Sequence, residues 1–202
     1  FVTLIDDQIG RIINYLKEQV VFEDTLIIYC SDHGEMLGQH GLWHKMTAYE
    51  ESVRVPLIIS GAEIKHNYRS DAMVSLIDIA PTILSLAEIE TPLKCEGVDL
   101  TPIVTGKQVA TNRQYLFSEF KNFGPWHGAV DWRMVSDGRF KYIWNVGDID
   151  ELYDIENDPY EMRNVIDEAA YNGRIGRLRK VLLQWMTDTN DPLRDEYFQE
   201  NK

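Results

Sequence analysis

An aspartate and a histidine stand side by side in the run Ser31-Asp32-His33-Gly34-Glu35. A carboxylate beside an imidazole offers one oxygen and one nitrogen to the same divalent cation. Oxygen donors suit Ca²⁺ or Mg²⁺, and the nitrogen widens the choice to Mn²⁺ or Zn²⁺. Gly34 allows the backbone to turn sharply away. Further on, Gly41-Leu42-Trp43-His44-Lys45 ends in a lysine, a compact positive charge for an anionic oxygen. The same residues have plainer readings. An Asp-His pair also serves as a turn or a helix cap, and a loop lysine or histidine as solvated surface. Taken alone, these residues suit a capped turn on a solvated surface as well as a metal corner near an anion-binding lysine, and they point to no particular reaction.

The elements around them say where that corner sits. Ile5, Ile9, Ile12, Leu16 and Val20 recur at spacings of three and four, the apolar face of an amphipathic helix. Thr25 to Cys30 is a continuous apolar, β-rich run, expected as a strand buried on both faces, with Cys30 buried at its end. Asp32 and His33 follow directly, where open α/β sheets bind ligands. Val53 to Ser60 reads as a second strand with Pro56 near its start or in a bulge, and Val74 to Ile89 as a helix. After about Gly106 the rhythm changes to short β-like runs at Gln114–Glu119, Asp131–Val135, Phe140–Trp144 and Glu151–Asp154. Ser136-Asp137-Gly138-Arg139 reads as a hairpin turn. A last helix carries Ile175, Leu178, Leu182 and Trp185 on one face, and the acidic tail after Asp191 reads as solvated. The fold class expected is therefore α/β. Residues 1–106 form the C-terminal part of a mixed, mainly parallel sheet sandwiched by helices. Residues 107–202 form a small antiparallel subdomain with a terminal helix.

Composition narrows the partners. The 202 residues carry a formal net charge of −13 and a 44% hydrophobic fraction, ordinary for a folded domain. Nucleic-acid binding needs clustered Lys and Arg, so the charge balance argues against it. No apolar run is long enough to span a membrane. Two cysteines, Cys30 and Cys95, make no disulfide framework. The chain opens at Phe1 inside a helical pattern, without a Met or a basic leader, which reads as a fragment of something longer.

The ordered series Asp24-Thr25-Leu26-Ile27-Ile28-Tyr29-Cys30-Ser31-Asp32-His33-Gly34-Glu35-Met36-Leu37-Gly38, then Gly41 to Lys45, Tyr49-Glu50 and Arg54-Val55-Pro56-Leu57, resembles the sulfatase family of the alkaline phosphatase superfamily. Asp137-Gly138-Arg139-Phe140-Lys141-Tyr142, Glu151 to Ile155 and Asn157-Asp158-Pro159 extend the resemblance over nearly the whole chain. With His33 after Asp32 and Met36-Leu37-Gly38 after it, the motif is particularly similar to choline-sulfatase-like and phosphonate-monoester-hydrolase-like members. The resemblance implies that Asp32 and His33 are metal ligands, with His33 also beside the reacting centre. It makes Lys45 the residue that bridges to the sulfate oxygens. It makes His44, and His127 in the loop Phe123-Gly124-Pro125-Trp126-His127-Gly128, candidate substrate contacts; a surface hairpin loop is the plainer reading of the latter.

The implied cofactors are a divalent metal, Ca²⁺ first with Mn²⁺ or Mg²⁺ open, and a formylglycine nucleophile made in a Cys/Ser-x-Pro/Ala-x-Arg motif. Neither Cys30 nor Cys95 stands in such a motif. The expectation is a sulfatase fragment acting on sulfate esters only as part of its parent, inactive and weakly metal-binding alone. A phosphodiester or phosphonate monoester hydrolase on the same scaffold is one alternative, and a non-catalytic interaction module another. A fragment also exposes apolar faces, so self-association is expected.

Overall fold

The computed structural model describes residues 1–61, 63–90, 95–122, 124 and 129–201. The chain forms two compact units.

The first unit comprises Phe1–Ser31, Pro56–Ala72 and Leu76–Thr111. The helix expected from the N-terminal periodicity is α1 (Val2–Glu18), yet none of its residues is buried, and Ile5 and Ile12 are 52% and 61% exposed. The apolar run after it forms β1 (Ile27–Cys30). Its partner β2 (Leu57–Ser60) runs antiparallel, pairing Ile27 with Ser60 and Cys30 with Leu57. The run is not buried on both faces. Tyr29 and Cys30 are exposed, and among the described residues β1 pairs with β2 alone, in a two-stranded ribbon. The second strand is also shorter than its apolar run. Pro56 has no N–H for a ladder and stands just before β2, while Glu50–Val53 closes a helical turn, α2.

The helix expected over Val74–Ile89 is α3 (Ile79–Leu86), entered through a tighter turn at Leu76–Asp78. The Thr82 hydroxyl donates to the Asp78 carbonyl (2.6 Å) and accepts the Leu100 N–H (2.9 Å), and the Asp78 carboxylate accepts the Val98 N–H (2.8 Å). These bonds tie α3 to α4 (Thr101–Val104). They also satisfy two polar side chains that are fully buried.

The second unit comprises Asp32–Val55, Met73–Ser75 and Asn112–Lys202. Its frame is an antiparallel meander of β3 (Leu116–Phe120), β4 (Trp132–Ser136), β5 (Phe140–Asn145) and β6 (Glu151–Asp154). The hairpin at Ser136–Arg139 forms as the sequence suggests: Gly138 takes φ +89°, and the Asp137 carboxylate accepts the Phe140 N–H at 2.8 Å. Every residue of β4 and β5 is buried, because both faces of the sheet are covered. Val135, Phe140, Tyr142, Trp144 and Leu152 face α5 (Asn172–Asp188) through Ile175, Leu178, Leu182 and Met186. On the other face Trp132, Met134, Ile143 and Tyr153 pack under Ala48, Tyr49 and Val53 of the segment that runs into α2.

The tail after Asp191 is largely exposed, as expected, but it is not structureless. It folds into α6 (Arg194–Glu200), where Tyr197 is buried edge-on against Trp144 at 4.9 Å and Glu200 accepts the Trp144 indole N–H. The Asp191 side chain is itself buried, paired with the buried guanidinium of Arg133.

Candidate functional site

The residues singled out for chemistry, with the exception of His127, lie in one loop of the second unit, 32–45. His127 lies outside the described residues. At the start of the loop, the Asp32 carboxylate accepts the His33 N–H through Oδ1 (2.9 Å), and its Oδ2 is 3.3 Å from His33 Nε2. His33 Nδ1 is 2.8 Å from the Gly34 carbonyl oxygen. A carbonyl oxygen only accepts, so Nδ1 is the donor in this bond, and Nε2 is the ring nitrogen on the Asp32 side. Two ligands at right angles on a cation, with bonds of about 2.1 to 2.5 Å, stand roughly 3.0 to 3.5 Å apart. The Oδ2–Nε2 separation fits that edge. Asp32 is largely exposed and His33 partly so. Among the described residues, no three His, Cys, Asp or Glu side chains converge to complete a cage.

Backbone bonds hold this corner to Lys45. The Gly34 N–H donates to the Ser52 carbonyl at 2.8 Å, and the Ser52 hydroxyl donates to the Lys45 carbonyl at 2.7 Å. The Met36 N–H donates to the His44 carbonyl at 2.8 Å, and the Glu35 carboxylate accepts the His44 N–H at 2.6 Å. The chain between turns back through left-handed residues at Leu37, Gly38, His40, Gly41 and His44. Met36 is fully buried beneath it, and the Thr47 hydroxyl lies 3.2 Å from its sulfur. Gly34 is required by contact: a Cβ there would stand 1.9 Å from the Glu51 carbonyl oxygen. The structure thus sets Asp32, His33, His44 and Lys45 in one hydrogen-bonded frame. The Lys45 and His44 side chains are exposed, as are Leu37 and Trp43 beside them.

The segment following Lys45 is fastened to the four-stranded sheet. The Trp132 indole donates to the Met46 carbonyl (2.9 Å), and Lys141 Nζ donates to the Ala48 carbonyl (3.0 Å). Lys141 also pairs with Glu50 (2.6 Å) and Glu161 (2.7 Å), and Glu161 accepts the Glu50 N–H (2.6 Å). Burial pushes the Glu161 carboxyl above its ordinary value, while Lys141 pulls the other way. The Tyr49 hydroxyl donates to Glu151 at 3.1 Å and its ring stacks on His40 at 4.0 Å. Burial raises the Tyr49 phenol, which keeps it a donor. The sequence reading did not single out Lys141 or Glu161. The available signal was strand alternation: Lys141 shares a face with Ile143 in a strand whose other face is Phe140, Tyr142 and Trp144, so its charge had to be buried and paired.

Residues 38–188 match the family described as N-sulphoglucosamine sulphohydrolase, C-terminal. A sulfatase of Escherichia coli K12, YidJ, is 38% identical over 191 residues, which is 94% of this chain and 37% of the relative. A solved enzyme in complex with its substrate D-glucosamine-2-N,6-O-disulfate superposes with a TM-score of 0.89 at 32% identity, covering 96% of this chain and 40% of that one. The phosphonate monoester hydrolase of Silicibacter pomeroyi gives a TM-score of 0.79 at 32% identity, covering 91% and 39%. The chain belongs to the sulfatase family, within the alkaline phosphatase superfamily. It spans about two-fifths of the length of these relatives.

Proposed function

We propose that the chain is the C-terminal portion of a metal-dependent sulfatase that hydrolyses sulfate esters, and that it supplies one wall of the active site. The observation that carries this reading is the Asp32–His33 corner locked to Lys45 inside a family match. In the longer protein, residues 1–106 would complete a mainly parallel sheet sandwiched by helices, and the formylglycine nucleophile would come from the part preceding them. Asp32 Oδ2 and His33 Nε2 would hold a divalent cation, Ca²⁺ first. Bound there, the cation supplies charge neutralisation at the sulfuryl oxygens and the attacking oxygen. The chain's own residues do the rest. The Gly34 carbonyl fixes the His33 ring by holding its Nδ1 proton. Lys45 would offer its ammonium to the sulfate oxygens and so neutralise charge on the sulfuryl group as the S–O bond breaks. His44 and His127 would contact the remainder of the ester.

Substrates of the kind bound in the D-glucosamine disulfate complex, sulfated amino sugars, make the first assay set. Likeness to a phosphonate monoester hydrolase favours a second reading, a phosphonate or phosphodiester substrate in the same corner. The test is paired turnover of a sulfate ester and a phosphonate ester by the longer protein, with Lys45→Ala beside it. The sulfatase reading expects the sulfate ester to be preferred and Lys45→Ala to lose most of that rate. A preferred phosphonate ester would establish the second reading, and an unchanged Lys45→Ala rate would remove Lys45 from the site.

A further inference from the structure

The loop bearing Lys45 is held from below by a buried charge cluster that the proposed reaction does not itself require. Lys141 is 1% exposed and the Glu161 side chain is fully buried, while Glu50 is about one-quarter exposed. A charge in such a place is expensive unless paired and hydrogen-bonded. The bonds here all converge on one short segment. Lys141 Nζ holds the Ala48 carbonyl and the Glu50 carboxylate, and Glu161 holds the Glu50 N–H with one oxygen and faces Lys141 with the other. Glu161 adopts a left-handed backbone, φ +52°, to present its carboxylate. For a residue with a side chain that conformation is disfavoured and persists where its surroundings over-determine it. Upstream, the Trp132 indole pins Met46 and Ser52 pins Lys45, so side chains hold the backbone of 45–50 at Lys45, Met46, Ala48 and Glu50.

Resting on the sulfatase reading of Asp32, His33 and Lys45, we infer that Lys141, with Glu161 and Glu50, is a positioning residue: it fixes the 46–50 segment so that the Lys45 ammonium is held ready for the sulfate group. Lys141 does not touch the substrate. Its ammonium lies on the sheet, on the inner side of the segment whose outer end carries Lys45. Its contribution is to reduce the freedom Lys45 would otherwise lose on binding an anion.

The test uses the full 202-residue chain and inorganic sulfate. Magnesium sulfate is titrated against a magnesium chloride blank while the Lys45 amide and Nζ signals are followed by NMR. Lys141→Met removes the ammonium, Glu161→Gln neutralises one carboxylate while keeping an acceptor for the Glu50 N–H, and Lys141→Arg is the conservative variant. Asp191→Asn is the control for general destabilisation, since it weakens a buried ion pair on another element. The inference expects sulfate to shift the Lys45 signals in the wild type. It expects a loss of affinity of about tenfold in Lys141→Met, a smaller loss in Glu161→Gln, partial recovery in Lys141→Arg and wild-type affinity in Asp191→Asn. Faster amide exchange at residues 46–50 should accompany the two losses. Should Lys141→Met not fold, Glu161→Gln carries the comparison. Unchanged affinity in the folded charge variants overturns the positioning role and leaves the site reading standing. Affinity that falls equally in Asp191→Asn overturns it too, as a mere stability effect. No sulfate response at Lys45 in the wild type overturns the site reading, and the inference with it.

Discussion

Replacing Gly34 with alanine tests the frame that joins the metal corner to Lys45. The added Cβ would meet the Glu51 carbonyl oxygen at 1.9 Å and the Glu51 carbonyl carbon at 2.9 Å. Ordinary van der Waals contact begins near 3.4 Å, so one backbone must retreat by roughly 1.5 Å. Neither is the flexible end of a side chain. Retreat stretches the 2.8 Å bond from the Gly34 N–H to the Ser52 carbonyl beyond hydrogen-bond range. Losing that bond costs about 1 kcal/mol, and the forced shift of packed backbone about 1 to 3 kcal/mol more. The expected loss is about 2 to 4 kcal/mol, read from urea unfolding as a lower midpoint at unchanged slope. The shift should also reach Lys45 through Ser52, whose hydroxyl holds the Lys45 carbonyl. NMR shifts at Lys45 and Ser52 should therefore accompany the stability loss. Wild-type stability in Gly34→Ala, or a loss with no shift at Lys45, would refute the close approach and the linked frame.

Other expectations follow from the same geometry. Gly176→Ala, inside α5 with nothing within 4 Å of its Cβ, should stabilise the chain by about 0.5 to 1 kcal/mol in the same unfolding assay. Asp191→Ala leaves the buried Arg133 guanidinium with Glu119 at 3.2 Å as its remaining ion partner and should cost about 1 to 3 kcal/mol, with α6 loosening first in hydrogen exchange. The Arg139 guanidinium beside Asp154 holds that carboxyl below its ordinary value. A depressed carboxyl contributes stability above the unfolded value, about pH 3.9, and loses it as pH falls through the folded value. The stability gap between wild type and Asp154→Asn should thus be full at neutral pH and close in acid, in urea titrations across that range. The chain alone should self-associate as concentration rises, because Leu4, Ile5, Ile12 and Tyr15 of α1 are more than half exposed. A monomer throughout by light scattering would oppose that, and substitution of Ile5 and Ile12 by Ser should abolish the association.

Much of the second unit was legible in the sequence because its signals are local. Gly138 after Asp137 sets a hairpin, and the 3.6-residue spacing of Ile175, Leu178 and Leu182 sets a helix face. The order of a strand followed by Asp32, His33 and Gly34 was legible, whereas the contact that requires Gly34 depends on Glu51, seventeen residues on. What escaped depends on partners distant in sequence. Lys141 and Glu161 are charges whose burial follows only once residues 46–53 are known to cover the sheet. Asp191 and Tyr197 sit in a polar tail, and only Arg133 and Trp144 across the sheet draw them inside. The Thr25–Cys30 run misled differently. Continuous apolar character implies burial on two sides, yet β1 has β2 beside it and a side open to solvent.

The central claim is that Asp32 and His33 form a cation corner that Lys45 adjoins. Mn²⁺ titration of the chain, read as paramagnetic broadening of its amide signals, tests it most directly. The account predicts early, selective broadening at Asp32, His33 and Gly34, extending to Lys45, and abolished by Asp32→Asn. Broadening that begins instead at the acidic cleft of Asp148, Asp150 and Asp167, or that is indifferent to Asp32→Asn, would contradict it.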